Sequence, residues 1–344
     1  MTLDLSKLDQ AHRLLFEIPL KPVQGSRFQP TGFPGLGAAT YQTAEGSCLL
    51  VESAQSMANR LELTIWDEAT NRLKPGLEGL SHVTVRTADG GFLTDTILES
   101  HRLNSPYVLN AKLDGELFFE ALGSRLKAFE TGPIDRRSLA GALLKLDVSS
   151  LVHGLFLSAN INKKTLAGGR LRVARALSAF IEANGVRVAP SGGVKNDHVN
   201  PSGETKAGFG NVPFARDEFT AERITLYVNL DLAQIRGYGL GADAERLLIL
   251  LALYKLRALL DGNLRLRTAC DLCVAAETVT ASAPEGVVLP HIDALASGLK
   301  SAIEACMGKM SKTEVTYLDK IDPAKGNGEQ SQDDVGDHDD NGGD

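Results

Sequence analysis

The sequence predicts an α+β fold, because segments with strand periodicity and segments with helical periodicity follow one another in an irregular order. Hydrophobic residues make up 43% of the 344 residues, which is enough to bury a real core. The length suits one elaborated domain or two ordinary ones. No internal repeat is evident, so a repeat architecture is not expected.

The sequence pattern of the first third of the chain predicts a strand, a loop and a helix. Arg13–Val23 alternates apolar and polar residues and predicts the first strand. A glycine- and proline-rich loop follows over residues 24–37. Leu49–Trp66 has apolar residues at helical spacing, with Ser53 as a candidate N-cap.

The middle of the chain predicts shorter elements. We expect strands at His82–Thr87, Leu93–Leu98, Glu116–Leu122 and Leu151–Leu157, and helices at Asp135–Leu146 and Arg170–Ala183. Ala189–Arg216 is then the least regular stretch, with five glycines and three prolines in 28 residues. A loop of this length inside a compact domain is usually functional.

The last elements are the clearest. Arg223–Ile235 alternates strictly and predicts a strand, and Ala242–Leu260 is apolar nearly all round, as in a buried helix. Leu264–Thr280 predicts extended structure and Ile292–Met307 a final helix. From Asp322 the chain is polar and acidic, and we expect a disordered tail over residues 321–344.

The formal net charge of −7 is carried by that tail, so the remaining 320 residues are neutral. Residues 160–216 hold nine basic residues and three acidic ones, a local charge of +6 that suits a phosphate-bearing partner. The longest strongly apolar run has eight residues, whereas a membrane span needs about 20. The N-terminus has no apolar signal region and the four cysteines make no disulfide framework, so we expect a cytoplasmic protein without a membrane partner.

Three motifs suggest enzymes or metal sites, and each is incomplete. Gly237-x-Gly239-x-x-Ala242 matches the turn that binds a dinucleotide pyrophosphate, but no acidic residue ends a following strand. Cys270-x-x-Cys273 lacks a second tight pair of ligands for zinc. His198 is the one histidine suited to acid–base chemistry. We therefore expect no catalytic residues, cofactor or metal, and a dinucleotide-dependent enzyme stays open as an alternative.

Several short segments together resemble one family. They are residues 27–39 (RFQPTGFPGLGAA), 50–62 (LVESAQSMANRLE), 101–107 (HRLNSPY), 191–197 (SGGVKND), 208–213 (GFGNVP) and 264–272 (LRLRTACDL). In this order they are similar to the backbone subunit of type I-G (formerly I-U) CRISPR effector complexes, a member of the RAMP superfamily. The resemblance covers about residues 12–310 and leaves the acidic tail outside.

The resemblance implies a modified RRM-like (ferredoxin-like) domain over residues 1–320, with a projecting thumb at 190–222. It implies a CRISPR-associated, non-enzymatic protein of antiviral defence that polymerises along the crRNA in a Cascade and presents it to target DNA. Its partners would be copies of itself, a large subunit, a crRNA-processing subunit and a recruited helicase–nuclease. A RAMP-type endoribonuclease that uses His198 stays open as an alternative.

The residues expected to bind RNA come from five parts of the chain. They are Arg27, Phe28 and Gln29 after the first strand, Asn59 and Arg60 in the first helix, Lys163, Lys164, Arg170, Arg172 and Arg175 in the basic stretch, Lys195 and Lys206 in the thumb, and Arg265 and Arg267 near the end. Arg265 and Arg267 alternate, which places both guanidinium groups on one strand face.

Overall fold

The computed structural model describes residues 4–33, 37–126, 134–207, 209–262 and 264–318, so the tail predicted at 321–344 lies outside the described residues. The helices are α1 (Ala54–Leu63), α2 (Pro106–Leu109), α3 (Phe118–Arg125), α4 (Arg136–Leu146), α5 (Ser149–His153), α6 (Leu232–Gly237), α7 (Ala242–Gly262) and α8 (Ile292–Cys306).

The strands are β1 (Arg13–Pro22), β2 (Gly32–Phe33), β3 (Gly37–Ala38), β4 (Thr40–Thr43), β5 (Gly46–Glu52), β6 (Trp66–Asp67), β7 (Arg72–Leu73), β8 (His82–Thr87), β9 (Phe92–Asp95), β10 (Lys112–Leu113), β11 (Glu116–Leu117), β12 (Leu155–Leu157), β13 (Asn160–Ile161), β14 (Lys164–Thr165), β15 (Leu171–Val173), β16 (Leu177–Asn184), β17 (Arg187–Lys195), β18 (Val212–Thr220), β19 (Arg223–Asp231), β20 (Arg265–Arg267), β21 (Cys270–Val274) and β22 (Lys312–Tyr317).

A seven-stranded sheet in the order β20-β21-β1-β19-β16-β5-β4 forms the centre of the molecule. β1 pairs antiparallel with β19 on one side and with β21 on the other, and β16 pairs antiparallel with β19. The alternation of β1 buries Leu14, Phe16 and Ile18 in the core and leaves its other face open. The mixture of antiparallel sheet and helices confirms the predicted α+β class.

Helices cover one side of this sheet. α1 contacts β16 and α7, and α7 contacts α8. α7 is buried along most of its length, as its apolar sequence predicted. A second sheet, in the order β11-β10-β22-β8-β9, is built from the segment after α1 together with the last strand, β22, which lies parallel to β8. No helix in the described ranges is long and apolar enough to cross a membrane.

The stretch predicted to be an irregular loop is a two-stranded ribbon. β17 and β18 pair continuously from Arg187 opposite Thr220 to Lys195 opposite Val212. The ribbon is inserted between β16 and β19, and most of its residues are exposed. The sequence did not predict this pairing, because glycine and proline have low strand propensity and interrupt the alternating pattern along each arm.

Several other local predictions are wrong. Residues 49–52, expected at the start of the first helix, belong to β5, and residues 232–235, expected at the end of a strand, belong to α6. Residues 170–183 form β15 and β16 rather than a helix, because Leu177, Ala179 and Ile181 are buried at a spacing of two. β11 ends at Leu117, where α3 begins. Residues 151–153 end helix α5, and Gly154, with φ of 81°, turns the chain into β12, which begins at Leu155.

A buried polar network joins α1, α5 and α7 behind the sheet. Lys255 is fully buried and its Nζ lies 2.9 Å from Nε2 of His153 and 3.2 Å from Oγ of Ser149. Burial lowers the pKa of Lys255 from 10.5 to about 8, although Glu62 and Asp147 oppose that shift. Burial also lowers the pKa of His153, so its imidazole is neutral and accepts from the ammonium group.

Lys255 predicts a specific pH dependence of stability. Between about pH 8 and 10.5 the folded protein binds fewer protons at this lysine than the unfolded chain does, so the free energy of unfolding rises with pH in that window. Lys255→Met should remove this rise. Urea unfolding of both proteins at several pH values would measure it, and parallel pH profiles would contradict the prediction.

Candidate nucleic-acid interface

Helix α1 presents one face to solvent and one to the core. The Ser53 side chain caps the helix by accepting the N–H of Ser56, as predicted. Met57 and Leu61 are buried, while Gln55 is exposed and Asn59 is half-buried on the outer side. Oδ1 of Asn59 is buried and has no hydrogen-bond partner among the described residues. The outer face therefore offers polar side chains to a partner.

Glu52, at the end of β5, holds the two arginines nearest this face. Its side chain is 2% exposed. One carboxylate oxygen accepts from Nε of Arg60 at 3.1 Å and from the Ser56 hydroxyl, and the other accepts from Nη2 of Arg267. One buried carboxylate thus stands against two guanidinium groups, and the cluster has an excess positive charge.

The same arginines tie three distant segments together. Arg60 donates to the carbonyl of Leu266 at 2.6 Å, and Arg267 donates to the carbonyl of Gln29 at 2.9 Å. The N–H of Gln29 donates to the carbonyl of Ala269 at 2.7 Å. The structure therefore brings together the segments around residues 29, 60 and 267. Arg265 lies beside them, is exposed, and forms no ion pair with any described residue.

The root of the ribbon lies next to this cluster. Phe28 and Phe219 exchange backbone hydrogen bonds of 2.9 Å, and Glu218 pairs with Arg27 at 3.7 Å and with Arg216 at 2.7 Å. Phe28 is 1% exposed, so its ring belongs to the core and offers no surface to an RNA base. The expectation of a contact through the Phe28 side chain is therefore corrected, whereas Arg27 is exposed.

The basic stretch reaches α1 from the other side. Nη2 of Arg175 donates to Oε1 of Gln55. Partial burial lowers the pKa of Arg175, and the positive charge of Arg102 adds to that shift. Arg172 lies over the ring of Phe156 with its Cζ 4.2 Å from the centroid. The N-terminal end of α1 is therefore bordered by the Arg175 guanidinium group.

The remaining basic candidates lie farther out. Lys164 pairs with Glu120 at 3.0 Å, whereas Lys163 and Arg170 are exposed and form no ion pair with the described residues. Lys195 and Lys206 lie toward the tip of the ribbon. Its arms have nine residues each, which places these lysines about 30 Å from the root. The structure does not bring them to the α1 face.

The tip of the ribbon is organised by one aspartate. The carboxylate of Asp197 accepts the N–H groups of Val199, Asn200 and Gly210, each at 2.9 Å. These hydrogen bonds lower the pKa of Asp197. The tip is thus a defined turn, and backbone N–H groups already use the acceptor oxygens of the Asp197 carboxylate.

The motifs that suggested enzymes do not form the sites they resemble. α6 lies between β19 and Gly239, and β19 pairs antiparallel on both sides, so the strand–turn–helix of a dinucleotide site is absent there. Cys270 is buried and Cys273 is half-buried in β21. Across the described ranges, no three His, Cys, Asp or Glu side chains cluster as metal ligands. His198 is exposed near the tip of the ribbon.

Several residues of the interface carry no signal in the sequence. Glu52 and Gln55 look like ordinary polar residues before and within a helix, and each has an arginine partner more than 100 positions away, Arg267 for Glu52 and Arg175 for Gln55. Phe156 occupies an exposed strand position, and only the register of β12 against β15 places it opposite Arg172. An exposed aromatic residue next to a basic stretch is the one hint that could have been used.

Comparisons with known proteins give one family match. A family model described as CRISPR-associated protein GSU0053 matches residues 14–188, just over half of the chain. A search of curated proteins finds no match.

Solved structures give weak likenesses. A chain of a CRISPR RNA-guided surveillance complex in a pre-nicking state is 15% identical, with a TM-score of 0.36, over 76% of this chain and 75% of that one. Csc2 of Thermofilum pendens is 10% identical, with a TM-score of 0.33, over 89% and 81%. At these TM-scores neither structure supports a conclusion about this chain. The family model matches more than half of the chain and confirms the CRISPR-associated resemblance seen in the sequence. The chain belongs to the CRISPR-associated protein GSU0053 family.

Proposed function

We propose that this chain is the crRNA-binding backbone subunit of a type I-G CRISPR effector complex, and that it is not an enzyme. Copies of the chain polymerise along the guide RNA and present it for pairing with target DNA. The observation that carries the proposal is the convergence of Gln29, Arg60, Arg265 and Arg267 on the outer face of α1, in a chain of a CRISPR-associated family.

The charges of this surface suit a phosphate backbone. Among the described residues, Glu52 is the one acidic side chain bound to Arg60 and Arg267, while Arg265 and Arg175 add further positive charge. Exposed guanidinium groups bind phosphate oxygens without reading sequence, which a subunit that accepts any guide requires.

The topology supports an RRM-like fold. β21, β1, β19 and β16 are adjacent in the sheet, α1 precedes β16 in the chain, and α7 precedes β21. This is the arrangement of a βαββαβ ferredoxin-like unit. The ribbon β17–β18 lies between the second and third strands of that unit and corresponds to the proposed thumb at 190–222.

The experiment is co-expression of the chain with a CRISPR array and its partners, namely a large subunit, a crRNA-processing subunit and a helicase–nuclease. We expect a large particle that contains a discrete RNA. A clean monomer without nucleic acid under those conditions would overturn the proposal. His198→Ala should leave both the particle and its RNA unchanged, whereas loss of RNA processing would support the endoribonuclease alternative.

Arg265→Ala tests the interface itself. Losing one phosphate contact per copy should weaken RNA binding and lower the slope of log affinity against log salt by about one unit. Arg72→Ala removes an equally exposed arginine from β7 and is the matched control. Titrations at several salt concentrations measure both variants, and equal slopes for them would contradict the assignment of Arg265.

A further inference from the structure

An open cavity of about 470 Å³ lies between α4, β15 and α6, beside the interface described above. Leu139, Ala140 and Leu151 contribute apolar side chains to its floor. The volume falls in the range of about 300–1,000 Å³ that is usual for small-ligand sites. We call it the arginine-rimmed cavity, because the side chains of Arg136, Arg170 and Arg172 line its edge.

The polar groups of the floor are already paired. Nε2 of Gln234 donates to the hydroxyl of Tyr238 and to the carbonyl of Ala174, both at 2.7 Å, and the Tyr238 hydroxyl donates to the carbonyl of Leu151 at 2.8 Å. These hydrogen bonds fix the position of the Tyr238 ring, which forms an apolar wall of the cavity. The floor therefore accepts a flat apolar group rather than a polar one.

The rim has the opposite character. Arg136, Arg170 and Arg172 are exposed, and none of them forms an ion pair with a described residue. Phe156 is 41% exposed and supports the guanidinium plane of Arg172 at 4.2 Å. Stacking uses the face of a guanidinium group and leaves the N–H donors on its edge free. Three uncompensated cations around an apolar floor select an anion attached to an apolar body.

We propose that the arginine-rimmed cavity binds a nucleotide, with the base on the apolar floor and the phosphate on Arg170 and Arg172. Ala174 lines the cavity and Arg175, the next residue, contacts α1, so the cavity lies close to the proposed RNA-binding face. This proximity favours a nucleotide over an acidic peptide. The nucleotide is either free in solution or one unit of the bound strand, and the second case rests on the proposed function.

The test uses a fluorescent base in both forms. The probes are 2-aminopurine riboside 5′-monophosphate and a short single-stranded RNA with one 2-aminopurine, each titrated into the full chain. We expect the emission of at least one probe to change on binding. Ala174→Phe fills the cavity and should abolish that change. Arg170→Ala should weaken binding of the responding probe about tenfold, the usual effect of losing a charged hydrogen bond.

Ala69→Phe is the matched control, because Ala69 is an exposed alanine in the turn between β6 and β7. It should leave both titrations unchanged. If the RNA binds normally but its emission does not depend on Ala174, and the free nucleotide does not bind, the cavity proposal fails and the proposed function stands. If neither probe binds at all, both fail. A change in self-association caused by Ala174→Phe, without any nucleotide response, would identify the cavity as a protein contact and overturn the proposal.

Discussion

Arg102→Met should destabilise the protein by about 3–5 kcal/mol, the usual cost of removing one partner from a buried ion pair. Arg102 and Glu62 are 5% and 1% exposed. Nε and Nη2 of Arg102 donate to the two carboxylate oxygens of Glu62 at 2.5 and 2.6 Å. Without the guanidinium group, this carboxylate stays buried with no charged partner at hydrogen-bond distance.

The matched control is the double variant Arg102→Met with Glu62→Gln. It removes the stranded charge together with its partner, so we expect it to recover most of the lost stability. Urea unfolding of the two single variants, the double variant and the parent completes a double-mutant cycle. A double variant as unstable as Arg102→Met alone would show that the guanidinium group acts through packing rather than through the pair.

The position of this pair gives it importance beyond stability. Glu62 lies on the inner face of α1, and Arg102 belongs to the segment that follows the short strands β8 and β9. The pair therefore fixes α1, whose outer face carries Asn59 and Arg60, to the second sheet. The proposed RNA-binding face therefore depends on a charge interaction on the opposite side of the same helix.

Local structure can be predicted from the sequence wherever all the interacting residues lie in one short segment. The N-cap of α1 is predicted correctly at Ser53, because a capping side chain bonds to an N–H group only three residues away. The alternation of β1 was equally local. The resemblance to a CRISPR-associated family supplied what periodicity could not, namely the kind of partner.

The remaining features of the fold and of the site depend on contacts between residues that are far apart in the sequence. The sequence predicts a helix over Arg170–Ala183 because the apolar residues there fit both periods over a short window, and only pairing with β5 and β19 decides between them. The sequence likewise predicts Arg60 and Arg267 as RNA-binding residues without indicating that Glu52 holds both of them. Their shared partner Glu52 is buried by a tertiary contact that no spacing in the sequence encodes.

Glu52→Leu should weaken RNA binding although it removes a negative charge from the surface proposed to bind a polyanion. The long-range Coulomb effect of losing one acid would strengthen binding slightly. The local effect is larger, because Glu52 holds Arg60 and Arg267 in place and these arginines hold the segments of β20 and Gln29. Breaking this buried cluster should also cost about 3–5 kcal/mol of unfolding free energy.

Glu222→Gln separates the two effects. Glu222 is an exposed acid that pairs only loosely with Arg187, at 3.5 Å, so its removal changes the charge and leaves the cluster intact. We expect this control to bind RNA as tightly as the parent or slightly more tightly, with unchanged stability. RNA titrations at a temperature where both variants stay folded provide the measurement. If Glu52→Leu binds RNA as tightly as Glu222→Gln, then Arg60 and Arg267 need no positioning by Glu52, and the interface is held by its backbone alone.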